Sequence, residues 1–293
     1  MGFNFTDDYR TLFQTDKIKN FANLERLSAN VLHINGLVGS AGAFTLYYSS
    51  LDLHKNHLII MNDKEEAIYF FNDLESIHSL NSSDKNDTNI LFYPASYRKP
   101  YQIDEVDNSN ILMRTDVLNK INKSVNKNII ITFAEALSEK VVTKTFFSDN
   151  IIEINKEEVL SIDFLMELLN DYNFERKDFV IEPGDYSIRG GIIDVFSFSN
   201  EYPFRIELNG DKVESLRSFN VETQLSINKH AKISILPNIQ NNNIVTERRV
   251  NFLDYIGNEY IVWIDGAEII KTRLEKNYIT AEDIYLNKNE TSP

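Results

Sequence analysis

The spacing of strand-like and helix-like runs changes character near Phe147, and that change restricts the chain to two kinds of sheet. Before it, apolar runs alternate with helical stretches. Leu58-Ile59-Ile60-Met61, Ile90-Leu91-Phe92-Tyr93 and Asn128 to Phe133 read as strands. A helix beginning near Asp63-Lys64-Glu65-Glu66 and running through Leu74 lies between the first two, and one around Ser109 to Val125 between the last two. Strands separated by helices pair in parallel, because the crossover helix carries the chain back to the same end of the sheet. The polar stretch Asn81 to Asn89 reads as a loop.

After Phe147, strands and turn signals come at close spacing. Asn155 followed by Glu158 has the spacing of a helix N-cap with an acid three residues on, which predicts a helix from about Glu157 to Asp171 that buries Leu160, Phe164 and Leu168. Pro183-Gly184 is a turn, Tyr186-Ser187-Ile188 and Ile192 to Phe196 are strands, and Phe204 to Leu208 alternates with period two. Asn209-Gly210 is a hairpin turn, with Lys212 to Phe219 as the returning strand. This region, from about Phe147 to Pro237, is a small antiparallel α+β module. Asn238 to Asn243 reads as a polar linker, Tyr260 to Asp265 as a buried strand ending in an acid, and Asn287 to Pro293 as a frayed tail.

One loop bears on chemistry. Gly36-Leu37-Val38-Gly39-Ser40-Ala41-Gly42-Ala43 follows the strand-like Val31-Leu32-His33-Ile34 and precedes a helix start at Ala43. A phosphate-binding loop reads G-x-x-x-x-G-K-[ST]: glycine backbone N–H groups reach the phosphates, the Lys meets their charge and the hydroxyl holds Mg²⁺. Gly36 takes the place of the first glycine and Ala41 the second, while Gly42 stands where the Lys belongs and Ala43 where the hydroxyl belongs. The charged contacts are gone. A small-residue turn between strand and helix is the other reading of the same stretch.

The bulk numbers exclude other classes. With 30 Lys and Arg against 44 Asp and Glu, the net charge is −14, which repels a phosphate backbone, and no basic run offsets it. The chain has no Cys, so it has no thiolate nucleophile and no Cys-based metal site, and its 5 His show no ligand spacing. No metal or cofactor is expected. Met1 to Arg10 has acids and no apolar core, so it does not read as a signal peptide, and no apolar run reaches membrane-spanning length. These features read as a soluble, cytoplasmic chain.

Pro183-Gly184-Asp185-Tyr186-Ser187-Ile188-Arg189-Gly190-Gly191-Ile192-Ile193-Asp194-Val195-Phe196, then Tyr202 to Glu207, Gly210 to Phe219 and Glu222-Thr223-Gln224, carry a family pattern. They resemble the N-terminal UvrB-homology region of bacterial transcription-repair coupling factors (Mfd). The resemblance is dense from Gly184 to Gln224 and extends thinly over the rest. It implies a degenerate P-loop, helicase-like α/β domain over residues 1–147, a UvrA-binding-like module over 148–237 and the remainder of the first domain over 238–293. These correspond to UvrB-like domains 1a, 2 and 1b. Asn251 to Ile256 and Ile261 to Glu268 resemble the Walker B strand of UvrB, with Asp265 retained and Gly266 in place of the glutamate. No Tyr-rich hairpin insertion of the UvrB kind lies between Tyr93 and Asn110.

The resemblance implies a non-catalytic platform that recruits UvrA to stalled RNA polymerase for nucleotide excision repair, or alternatively an autoregulatory domain that masks UvrA binding and restrains a translocase motor. In either case the chain is a fragment of a longer ATP-dependent DNA translocase, with polymerase and DNA bound by other domains and no direct nucleic-acid binding here. The site residues it implies are Arg189, Arg205, Glu207 and Asn209 for UvrA. Relatives often have an aromatic at Asn209, and its loss weakens the contact or moves it onto Phe204 or Leu208. An internal Arg205–Glu207 pair on a solvated face is the competing reading. Asp194 reads as either a partner contact or a structural hydrogen-bond acceptor. Asp104, Glu105 and Asp107 read as a solvated loop without catalytic pairing.

Overall fold

The computed structural model describes residues 31–53, 55–80, 88–96, 108–123, 126–237 and 249–290. In chain order, its elements begin with α1 (Ala41–Leu53), β1 (Asn56–Met61), α2 (Lys64–Leu80), β2 (Thr88–Phe92), α3 (Asn108–Lys123) and β3 (Lys127–Phe133). Then come α4 (Ala134–Leu137), β4 (Val141–Val142), α5 (Lys144–Asp149), β5 (Ile152–Asn155) and α6 (Ile162–Asp171). The strands β6 (Glu175–Arg176), β7 (Asp185–Arg189), β8 (Ile192–Val195), β9 (Phe204–Asn209), β10 (Lys212–Phe219), β11 (Ser226–His230), β12 (Lys232–Ile235) and β13 (Arg249–Val250) follow. The last elements are α7 (Phe252–Ile256), β14 (Tyr260–Ile264) and α8 (Ala267–Glu290).

Two compact units divide these elements. The first draws on the spans Met1–Pro94, Lys123–Ser138 and Ile256–Pro293. Its sheet has the order β14-β1-β3-β2, with every pair parallel. The central strands β1 and β3 are buried almost throughout, as near-continuous Ile/Leu runs covered on both faces must be. Asp63 begins α2 by accepting the Glu66 N–H at 2.9 Å, and the helix outruns the sequence expectation to end at Leu80. At the far end of the unit, Arg273 on α8 sits 3.4 Å from Glu135 and 3.6 Å from Asp63.

Several expectations for this unit are corrected. Val31 to Ile34 form no strand; they are irregular and exposed, with Val31 at 70%. Both hydrogen-bonding edges of β1 are occupied, by β14 and β3, so no position beside it is open to them. The strand Tyr260 to Ile264 is not buried: it lies at the sheet edge with Val262 and Ile264 about half exposed. The supposed frayed tail continues α8 as helix to Glu290.

The second unit draws on Ala95–Asn122 and Glu139–Tyr255. It holds a six-stranded sheet, β11-β10-β9-β8-β7-β6, antiparallel except where β6 meets β7, together with the small pairs β12–β5 and β13–β4. Leu165 and Leu169 of α6 pack with Tyr186, Ile193, Val195, Phe204, Ile206 and Leu216 on one face of the sheet, and Ile111 of α3 joins the same core. The helix α6 starts later than the sequence suggests. Ser161 is its N-cap, accepting the Phe164 N–H at 3.3 Å, while Glu157 adopts a positive φ and Leu160 N–H donates to the Asp211 carbonyl. The buried face of α6 is formed by Leu165 and Leu169 rather than by Phe164, which is 57% exposed. The hairpin loop also moves by one residue. Asn209 pairs with Lys212, so Gly210 and Asp211 form the turn.

The readings for Met1 to Arg10, residues 81–87, Asp104, Glu105, Asp107 and Asn238 to Asn243 lie outside the described residues. Among the described residues, no helix is long and apolar enough to cross a membrane.

Candidate docking face

Strand parity builds the site. In β7, β8 and β9, Tyr186, Ile188, Ile193, Val195, Phe204 and Ile206 turn toward the core, so Arg189, Ile192, Asp194, Arg205 and Glu207 share the opposite face. Register then places Asp194 directly opposite Arg205, and Ile192 opposite both Arg189 and Glu207. Asp194 is also diagonal to Arg189 across the β7–β8 hairpin, within reach of a long side chain.

The result is a triad centred on Asp194. Arg189 Nη2 donates to Asp194 Oδ2 at 2.6 Å, Arg205 Nε donates to Oδ1 at 2.6 Å, and Arg205 Nη2 donates to Oδ2 at 2.8 Å. The Asp194 side chain is 2% exposed, Arg205 14% and Arg189 40%. Arg205 Nη2 also donates to Gln224 Oε1 at 2.9 Å, and its guanidinium lies 4.3 Å from the centre of the Phe219 ring. The Arg189 guanidinium stands 5.1 Å from the Phe179 ring, within cation–π range. The hydrogen bond to Asp194 raises the Arg205 pKa above its ordinary value, while burial pulls the other way. Removing one partner of a buried pair of this kind typically costs about 3–5 kcal/mol, because the remaining charge is left uncompensated.

Glu207 is committed elsewhere. It accepts from Ser215 Oγ at 2.6 Å and pairs with Arg217 rather than with Arg205. The internal Arg205–Glu207 pair read from the sequence does not form. Register explains the change: Ser215 lies opposite Glu207 with Arg217 two residues on, while Asp194 lies opposite Arg205. Asn209 is exposed at the end of β9. Phe204 belongs to the core at 5% exposure and Leu208 packs against it, so neither can stand in for an aromatic on the Arg face. The exposed apolar side chains near the triad are ones that sequence reasoning did not single out: Phe179 at 59% and Ile192 at 36%. Parity counted back from Asp194 would have found Ile192. Phe179 lies in an irregular segment with no periodic signal.

The loop residues lie in the first unit. Gly36 and Gly39 take positive φ in an exposed segment, and α1 begins at Ala41. A Cβ on Gly42 would come within 3.3 Å of Phe70 on α2, and Ala43 is fully buried. A lysine at 42 would therefore press on the helix–helix contact. Asp265 is exposed just past the carboxyl end of β14, its N–H bonded to the Ile60 carbonyl at 3.0 Å. Gly266 has φ +68°, and a Cβ there would stand 2.9 Å from Asn62 Oδ1, so a glutamate would be both strained and crowded. No hydrogen bond or ion pair among the described residues joins Asp265 to the Gly36–Ala43 segment. No group of three or more His, Asp or Glu among the described residues could hold a metal ion.

The six-stranded sheet packs one face on α6 and carries the Arg189–Asp194–Arg205 triad on the other. Residues 152–240, which include every member of the triad, match the UvrB interaction domain family. Over part of its length the chain is similar to transcription-repair-coupling factors. It is 27% identical to that of Bacillus subtilis over 224 residues, 76% of this chain and 18% of the relative. It is 27% identical to that of Rickettsia typhi over 185 residues, 63% of this chain and 16% of the relative. It is 34% identical to that of Borreliella burgdorferi over 113 residues, 38% of this chain and 10% of the relative. The resemblance carried by Pro183 to Gln224 is thus borne out, and the chain spans less than a fifth of the length of these relatives.

Proposed function

We propose that this chain is a non-catalytic, UvrB-like platform that docks UvrA and recruits it to stalled RNA polymerase in transcription-coupled nucleotide excision repair. The observation that carries the reading is the Arg189–Asp194–Arg205 triad on the open face of a sheet inside the segment that matches the UvrB interaction domain. Arg is favoured where a partner's acidic groups are bound, since its planar fork meets a carboxylate with two parallel bonds. In this reading residues 148–237 form the UvrA-docking module, with Glu207 and Asn209 at its border. Residues 1–147 and 238–293 descend from a nucleotide-binding domain whose Gly36–Ala43 loop and Asp265-Gly266 strand end have lost the groups that hold phosphate and Mg²⁺. Polymerase, DNA and ATP-driven translocation belong to parts of the coupling factors outside the matched segment.

The test is a calorimetric titration of the chain with UvrA, beside the Arg189→Ala/Arg205→Ala double variant. Truncating central arginines of an interface costs on the order of 2 kcal/mol or more, so the double variant should bind at least about thirtyfold more weakly. Unchanged affinity in a folded double variant places the docking surface elsewhere.

A further inference from the structure

The two arginines of the triad are not equivalent. Arg205 is turned inward: three of its N–H groups go to Asp194 and Gln224, and Phe219 covers its guanidinium. Arg189 gives one N–H to Asp194 and, among the described residues, has no other hydrogen-bond acceptor, which leaves four of the five guanidinium N–H groups open at 40% side-chain exposure. The two guanidinium charges and the Asp194 carboxylate sum to one positive charge, so the cluster is one carboxylate short of balance. Two apolar side chains flank the open fork. Phe179 lies beneath the Arg189 guanidinium, and Ile192 stands directly opposite Arg189 in the β7–β8 register.

We infer that Asp194 is a positioning residue for partner binding. It locks Arg205 as an internal brace and aims the open fork of Arg189 at a carboxylate of UvrA, with Phe179 and Ile192 providing the apolar contact beside it. The inference rests on reading this face as the UvrA-docking surface, and it names the chemistry of the occupant: an acidic side chain next to an apolar one. Charge supports that choice. The chain carries −14 overall, so an acidic partner is repelled everywhere except where local positive charge is concentrated, and the triad is such a place. Water excluded by Phe179 and Ile192 strengthens the Arg189–carboxylate bond in the way that a ring of neutral contacts protects an interface hot spot.

The sign of one substitution separates positioning from charge. Asp194→Asn removes a negative charge from the face, and if charge alone mattered it would tighten binding to an acidic partner. If Asp194 positions Arg189, the same substitution weakens binding. The experiment titrates UvrA into the full chain, into Asp194→Asn and into Phe179→Ala, with circular dichroism and thermal unfolding as controls for folding. Asp194→Asn is expected to bind about thirtyfold or more weakly, the scale for truncating one member of a buried charged pair at an interface. Phe179 is 59% exposed, so Phe179→Ala should keep the fold while weakening binding several-fold.

Equal or tighter binding by a folded Asp194→Asn overturns the inference, as does unchanged binding by Phe179→Ala. Should Asp194→Asn fail to fold, Phe179→Ala decides. No binding by the folded wild-type chain overturns the docking reading itself and the inference with it. That result is distinguishable from a failure confined to the variants.

Discussion

At the scale of single residues, close approach decides identity at Gly191. A Cβ there would lie 2.9 Å from the Leu208 carbonyl oxygen, so the glycine between Arg189 and Ile192 lets β8 and β9 pair closely enough for Asp194 to face Arg205. In the other unit, His57 is fully buried, and its Nδ1 accepts the Trp263 Nε1–H at 2.9 Å. Burial, with the Lys127 charge adding to it, lowers its pKa from 6.5 to about 4. In the unfolded chain this histidine takes up a proton below about pH 6.5, whereas in the folded chain it stays neutral until about pH 4. The unfolded state therefore binds more protons in that window, and its contribution to stability falls as pH drops from 6.5 towards 4, by about 3 kcal/mol at most. Thermal unfolding between pH 7 and pH 4.5 should show this slope. The slope should flatten in His57→Leu, and an equal slope in both proteins would assign it to other groups.

At the scale of elements, caps and turns set where each helix and strand begins. The α6 boundary turns on Ser161, whose side chain satisfies the Phe164 N–H. Ser161→Ala should cost about 1 kcal/mol, read from the urea midpoint of the transition reported by the second unit. Asn155, which the sequence pattern nominates as the cap, instead donates to Glu158 at 2.9 Å within a turn, and Asn155→Ala should leave the midpoint nearly unchanged. The difference between them was not legible in the sequence, because both have a capping residue type at a plausible spacing. What separates them is that Glu157 turns at a positive φ, Val159 bridges to Lys212 and Leu160 bonds to Asp211, which keeps residues 157–160 out of the helix. The strands of the docking module were much more legible. Period-two alternation from Phe204 to Leu208 and a turn signal at Gly210 locate β9 and β10 without any tertiary information.

At the scale of the whole molecule, net charge and local charge oppose each other. A body at −14 repels acidic partners, while the proposed docking face bears Arg189 and Arg205. If the face governs encounter, raising salt from about 0.05 to 0.5 M, which shortens the screening length several-fold, slows association with UvrA. If net repulsion governs, added salt speeds it. Stopped-flow association rates at the two ionic strengths distinguish the cases by sign.

The sequence by itself determined the two sheet types, the strands β1 to β3 and β7 to β10 and the face on which Arg189 and Arg205 sit, because periodicity and turn chemistry are local properties of the chain; the edge strands β6 and β11 of the six-stranded sheet carried no such signal. It also supplied the family pattern in Pro183 to Gln224. Only the tertiary structure decided which acid each arginine meets. Asp194 rather than Glu207 pairs with Arg205 because the β8–β9 register puts Asp194 directly opposite it, while the β9–β10 register puts Ser215 opposite Glu207 with Arg217 two residues on. Only the tertiary structure showed that Val31 to Ile34 pair with no strand and stay irregular and exposed. Hydrogen-bond partners supplied from distant parts of the chain are what local patterns cannot count.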